Sequence, residues 1–164
     1  MRVGIALGSN LGDRAAHLRA AIEAIRAFAL PPMCVSRFYE TSPVDCPPES
    51  PLFLNAAIEI GSDEPIEDLL RKLQAIEQSQ ARPALHERNA PRTIDLDILY
   101  ADDLTLESPA LILPHPRLMS RLFVLRPLCD IAPDRRIPGH ARTFREQAAE
   151  LERTSPEICS VHAS

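Results

Sequence analysis

From Thr93 to Tyr100 the chain reads T-I-D-L-D-I-L-Y, with Ile94, Leu96 and Ile98 apolar and Asp95 and Asp97 acidic between them. A period of two belongs to a strand with one buried face. A helix would scatter the same residues around its circumference. Asp95 and Asp97 then project to the same side, with Cα atoms about 6.6 Å apart at the usual strand rise. Paired carboxylates repel unless a cation lies between them, and all-oxygen ligation suits Mg²⁺. Just upstream, Arg82, His86, Arg88 and Arg92 gather in a chain whose net charge is −5, and guanidinium groups grip phosphate oxygens bidentately. The two halves together read as a magnesium–polyphosphate site. The plainer alternative is an exposed strand with solvated aspartates beside a basic surface loop.

The 164 residues suffice for one domain with a real core, expected over residues 1–156 and followed by a fraying tail at 157–164. The negative charge argues against general nucleic-acid affinity, so the basic cluster must serve something local. No apolar run is long enough to cross a membrane or to act as a secretion signal, and the expected location is the cytoplasm. Cys34, Cys46, Cys129 and Cys159 form no closely spaced pair, which suggests neither a zinc site nor a disulfide framework. The 16 prolines fall mostly in short connections, implying stiff loops.

Along the chain, Val3–Leu7 reads as a buried strand. The turn Gly8–Asp13 has neither phosphate-loop spacing nor its lysine. A helix capped by Asp13 follows, with Leu18, Ala21, Ile22, Ile25 and Phe28 on one face, stopped by Pro31-Pro32. Met33–Thr41 is the next strand. The proline-laden loop Ser42–Pro51 is long enough to be a functional suspect. Phe53–Ile60 resumes as a strand, and Ser62–Pro65 opens a helix with proline in its first turn. Ile66, Leu69, Leu70, Leu73 and Ile76 mark that helix to about Gln80. After the Asp95/Asp97 strand come Leu111–Leu113, the apolar segment Leu122–Leu128 and a last helix near Thr143–Arg153. The order is β-α-β-β-α-β, the ferredoxin-like α+β arrangement of an antiparallel sheet with helices on one face, extended by a C-terminal strand and helix.

Several segments then coincide with one family. R-N-A-P-R-T-I-D-L-D-I-L resembles the signature of the 6-hydroxymethyl-7,8-dihydropterin pyrophosphokinases. The resemblance extends to I-A-L-G-S-N-L-G-D-R, Y-E-T-S-P-V, F-L-N-A-A, P-H-P-R and R-L-F-V-L-R-P-L-C-D-I-A-P-D. It implies transfer of pyrophosphate from ATP to the pterin hydroxymethyl group, with release of AMP, in folate biosynthesis. It also implies the ferredoxin-like fold, a monomer, and two Mg²⁺ ions held by Asp95 and Asp97. By the same resemblance Arg82 and Arg92 meet the phosphates, and Gln74, Glu77, Arg88, Ile98, His115 and Arg121 lie on the ATP side. Phe53 and Phe123 sandwich the pterin, Asn55 reads its amide edge, and Thr41, Ser42, Pro43 and Val44 line the slot with backbone.

The chemistry of these residues agrees. A flat uncharged heterocycle suits a slot between aromatic faces, and in-line phosphoryl transfer asks for positioning and charge stabilisation rather than a strong base. Asn89-Ala90 departs from the family's usual aromatic and glycine, Pro83-Ala84 lacks a second loop arginine, and Met119-Ser120 replaces a more polar pair. An inactive pterin- or nucleotide-binding paralogue is the main alternative; both aspartates and Arg92 speak against it. An RNA-binding sheet would expose aromatics in a basic surface. Here aromatics are 4%, and the strand taken as central carries two acids.

Overall fold

β4 (Phe53–Gly61) is the axis of the molecule. In the computed structural model, which describes residues 1–42, 49, 51–81, 93–155, 157 and 159–162, it pairs antiparallel with β1 (Arg2–Ser9) on one side. On its other side lie β2 (Leu30–Val35) and β3 (Tyr39–Thr41). β5 (Asp95–Ala101) pairs with the far edge of β1, and β8 (Cys159–Val161) with the far edge of β3. Among the described residues the sheet order is β5-β1-β4-β3-β8, with β2 also against β4, and each pairing is antiparallel. β6 (Leu106–Glu107) and β7 (Ile112–Leu113) form a separate small ribbon.

Alternation along the strands builds two cores. Val3, Ile5, Leu7, Leu54, Ala56, Ile58, Ile60, Leu96 and Ile98 face α1 (Arg14–Arg26) and α2 (Ile66–Gln80). Those helices present Leu18, Ile22, Ile25, Leu69 and Leu73, each fully buried aliphatic side chain stabilising the fold by about 1.5–3 kcal/mol. The opposite face carries Ala57, Leu99 and Tyr100 against α3 (Leu122–Ile131) and α4 (Phe144–Thr154). Helices therefore cover both faces, not the one expected, because Leu122–Leu128 coils into α3 and brings a second apolar stripe to the sheet.

α1 ends at Arg26, well before Pro31-Pro32, because Phe28 and Ala29 N–H groups both return to the Ile25 carbonyl. The prolines instead lie in β2, whose outer edge is unpaired among the described residues and needs no ladder N–H. The single strand expected over Met33–Thr41 is broken at Ser36. Its N–H donates to the Ala57 carbonyl, and its hydroxyl accepts from the Ala57 N–H. Pro65 stands at the N-cap of α2 rather than in its first turn. The tail expected to fray carries β8.

Candidate active site

Of the described candidate residues, Phe53, Asn55, Asp95 and Asp97 lie on the α3 face of the sheet, whereas Ile98 points into the other core and Gln74 and Glu77 come from α2. β5 is the edge strand, not a central one. Asp95 stands opposite Gly8 and Asp97 opposite Ala6, and with Leu96 and Ile98 in the other core both aspartates point to the α3 side. Asp95 is half-buried and Asp97 exposed. Across β1, Asn55 on β4 is the other neighbour of Gly8. A Cβ at Gly8 would come within 3.1 Å of the Asn55 side-chain oxygen, so glycine keeps the floor between acids and amide low. Asn55 is buried rather than solvated, and its Nδ2 donates to Thr41 Oγ1 at 2.6 Å. The donor is thus fixed and the oxygen left facing the floor. Phe53, half-buried, begins the same strand opposite Thr41.

α2 and the loop before α3 supply the rest. Glu77 Oε1 accepts from the Leu96 N–H at 2.7 Å, between the two aspartates. Burial first, and then the charges of Asp95 and Asp97, push the Glu77 carboxyl up to about 7. Gln74, one turn earlier, is exposed. His115 is pinned by its N–H to the Leu99 carbonyl at 2.8 Å. Its Nδ1 accepts from the Arg117 N–H at 3.1 Å, which leaves the proton on Nε2. Burial, then the Arg121 and Arg117 charges, holds its pKa below the usual histidine range, so the ring is neutral at pH 7. Arg121 is the N-cap residue of α3, its guanidinium carbon 5.4 Å from the centre of the half-buried Phe123 ring. Among the described residues no three acidic, histidine or cysteine side chains already form a metal cluster. No helix among them is long and apolar enough to cross a membrane.

A family model described as 7,8-dihydro-6-hydroxymethylpterin-pyrophosphokinase (HPPK) matches residues 4–133. The chain belongs to that family. A 2-amino-4-hydroxy-6-hydroxymethyldihydropteridine pyrophosphokinase of Pseudomonas aeruginosa is 41% identical over 140 residues, 84% of each chain. The Bacillus subtilis protein of the same name is 44% identical over 128 residues, 77% of this chain and 75% of that one. Among solved structures, an HPPK-DHPS in complex with substrates superposes with a TM-score of 0.66 at 14% identity. A Plasmodium falciparum HPPK-DHPS does so at 0.69 and 15%. These two are likenesses of fold, covering 94% of this chain but only 44% and 45% of those longer chains.

Within this HPPK-family chain, Thr41, Phe53, Asn55, Glu77, Asp95 and Asp97 stand on adjacent elements. Ser42 follows β3 directly, while Pro43, Val44, Arg82, Arg88 and Arg92 lie outside the described residues. The Ile98 side chain is 2% exposed in the α1/α2 core, which leaves its backbone to face a ligand. The sequence reading missed Glu157. Its Oε2 accepts the N–H groups of Leu122 and Phe123 at 3.0 and 3.3 Å, capping α3, which has no side-chain cap of its own. Nothing in the sequence flags a cap supplied from 35 residues away.

Proposed function

We infer that this chain transfers pyrophosphate from ATP to the hydroxymethyl group of 6-hydroxymethyl-7,8-dihydropterin, forming the pterin diphosphate and AMP in folate biosynthesis. The observation that carries the reading is the sheet end itself. It places the Asp95/Asp97 pair on β5 and the Asn55–Thr41 pair on β4 and β3, separated by the low strand β1. β5 and β4 are two strand spacings apart, about 10 Å. That width lets one side hold phosphates while the other reads a planar heterocycle. The strand order, with β2 and β3 taken as one interrupted strand, supports a ferredoxin-like sheet. We further read the chain as a cytoplasmic monomer.

The pterin edge falls to Asn55, whose side-chain oxygen accepts from ring N–H groups while Thr41 holds the amide in one orientation. Phe53 and Phe123 are the stacking faces, and the backbone of Thr41 to Val44 closes the slot. Asp95 and Asp97 fit Mg²⁺, two ions by the family resemblance. The negative charge that lifts Glu77 is what a divalent cation relieves, and Mg²⁺ takes one or two carboxylates and completes its shell with phosphate oxygens and water. Bound there, it supplies charge neutralisation to the polyphosphate. Neutral His115 offers an Nε2–H and Arg121 a guanidinium to phosphate oxygens. Arg82, Arg88 and Arg92 are assigned to the same anion, and Gln74 and Glu77 to its α2 side. The substrate hydroxyl attacks the β-phosphorus in line, and these residues stabilise charge on the transferred group without a dedicated base.

The deciding assay is AMP release from ATP with Mg²⁺, with and without the pterin. AMP formed only with pterin present supports the transferase. No release, with both ligands bound, would leave the non-catalytic binding reading instead.

A further inference from the structure

We propose that Glu157 is a positioning residue for the pterin slot. It acts through α3 and belongs to a C-terminal strap that lies beyond the family-matched residues 4–133. The proposal rests on the slot assignment above. α3 begins at Leu122, and its second residue is Phe123, so the direction of the first turn sets where that ring lies. A helix start leaves N–H groups without intrahelical partners, and an anchored acceptor there fixes the entry angle of the chain. Arg121 at the N-cap offers no side-chain hydrogen bond to them. Glu157 does, through a single carboxylate oxygen shared between Leu122 and Phe123. A carboxylate at this end also meets the favourable end of the helix dipole.

What makes this more than a local cap is where Glu157 is itself held. Two residues on, β8 pairs with β3, placing Cys159 opposite Thr41 and Ser160 opposite Glu40. The His162 N–H donates to the Phe38 carbonyl at 2.8 Å, and its Nδ1 lies 3.2 Å from Glu40 Oε1. Glu40 in turn takes Arg14 at 2.7 Å, and Arg14 also donates to the Leu52 carbonyl, the residue before Phe53. The strap therefore joins the two walls of the slot. Thr41 and Phe53 stand on the β3/β4 wall, Phe123 on the α3 wall, and Glu157 together with Cys159–Val161 and His162 ties one to the other. Loosening the tie leaves each ring present but their spacing less defined. Stacking between planes is sensitive to that spacing. The nucleotide side draws on β5, α2 and His115, and shares with the capped turn only Arg121, the N-cap residue of α3.

The test uses the full chain and two ligands measured separately: 6-hydroxymethylpterin, and a methylene-bridged ATP analogue with Mg²⁺. Losing a cap is worth about tenfold in a coupled equilibrium, or ~1.4 kcal/mol. We expect Glu157→Ala to raise the pterin Kd by about that factor and the nucleotide Kd by clearly less, since the nucleotide side meets the capped turn only through Arg121. Glu157→Gln, whose amide oxygen still accepts but carries no charge, should fall between wild type and Glu157→Ala. Equal weakening of both ligands, in step with a falling Tm, would make the cap merely structural and overturn the proposal. So would an unchanged pterin Kd in Glu157→Ala. Should that variant not fold, Glu157→Gln decides: a rise of about two- to threefold confined to pterin upholds the proposal, and wild-type affinity overturns it. Phe123→Ala separates the two layers of inference. If it leaves pterin binding intact the slot assignment fails, whereas if it weakens binding and the Glu157 variants do not, only the strap fails.

Discussion

Glu77, on the Leu96 N–H, feels the charges of Asp95 and Asp97, and that crowding makes opposite predictions for stability and for turnover. Asp95→Asn removes one of the charges that raise Glu77. Either Asp→Asn variant should unfold at the same temperature as wild type or a higher one. Activity should fall on the order of 10³-fold, ~4 kcal/mol of barrier. Thermal unfolding beside AMP release checks both halves, and near-normal turnover in both variants would remove the metal assignment. The same crowding sets a pH dependence. The folded-state value of Glu77 lies above its ordinary 4.5, at about 7. The folded chain therefore binds the extra proton more tightly than the unfolded one. That contribution is fully present below about 4.5 and is lost as pH rises through about 7. In Mg²⁺-free buffer Tm should decline across this window. Glu77→Gln should flatten the decline, as should Mg²⁺ with a nucleotide analogue. A profile identical in Glu77→Gln and wild type would assign the dependence to other groups.

At the scale of the element, β5 depends on its contact with β1. The register between them shifts at Gly4/Ile5, where Leu99 is skipped and Tyr100 pairs with Gly4. The shift puts Leu99 and Tyr100 both into the α3-side core, where Tyr100 is fully buried and bonds Glu59 at 2.6 Å. A Cβ at Gly4 would stand 2.2 Å from the Tyr100 ring. Gly4→Ala should therefore destabilise the chain by about 1–3 kcal/mol or more, as overpacking of a filled core does. A denaturation midpoint within error of wild type would mean that β5 repacks freely. The alternation that places Asp95 and Asp97 was legible in the sequence because T-I-D-L-D-I is a local pattern. So were α2 and the Asp13 cap, for the same reason. The break at Ser36, the bulge at Leu99, the second helical layer and β8 were not. Each is decided by a partner distant in the chain: the Ala57 backbone, Gly4, the sheet face, and β3. The aspartates' shared face could be read from their spacing. Burial of Asn55 could not, because it depends on which strands flank β4.

Among the described residues the sheet has unpaired edges at β2, β5 and β8, and the first two are guarded differently. β2 carries Pro31 and Pro32 among its six residues, which removes ladder donors from the outward side. β5 has its Leu96 N–H taken by Glu77 and its Leu99 carbonyl by the His115 N–H. With those two edges blunted and β8 only 3 residues long, the chain should sediment as a monomer at micromolar concentration. A stable dimer in sedimentation velocity would show that one of these edges pairs after all.

The cap that Glu157 places on α3 also bears on how relatives of this protein should be compared. The residues that identify the family lie within 4–133, whereas Glu157 and β8 lie outside that span. Exchanging residues in the last eight positions would then retune the grip on the pterin while every motif residue stayed as it is. Two proteins with matching signatures can differ in substrate affinity for that reason, and an inhibitor shaped to the pterin slot of one would inherit the difference.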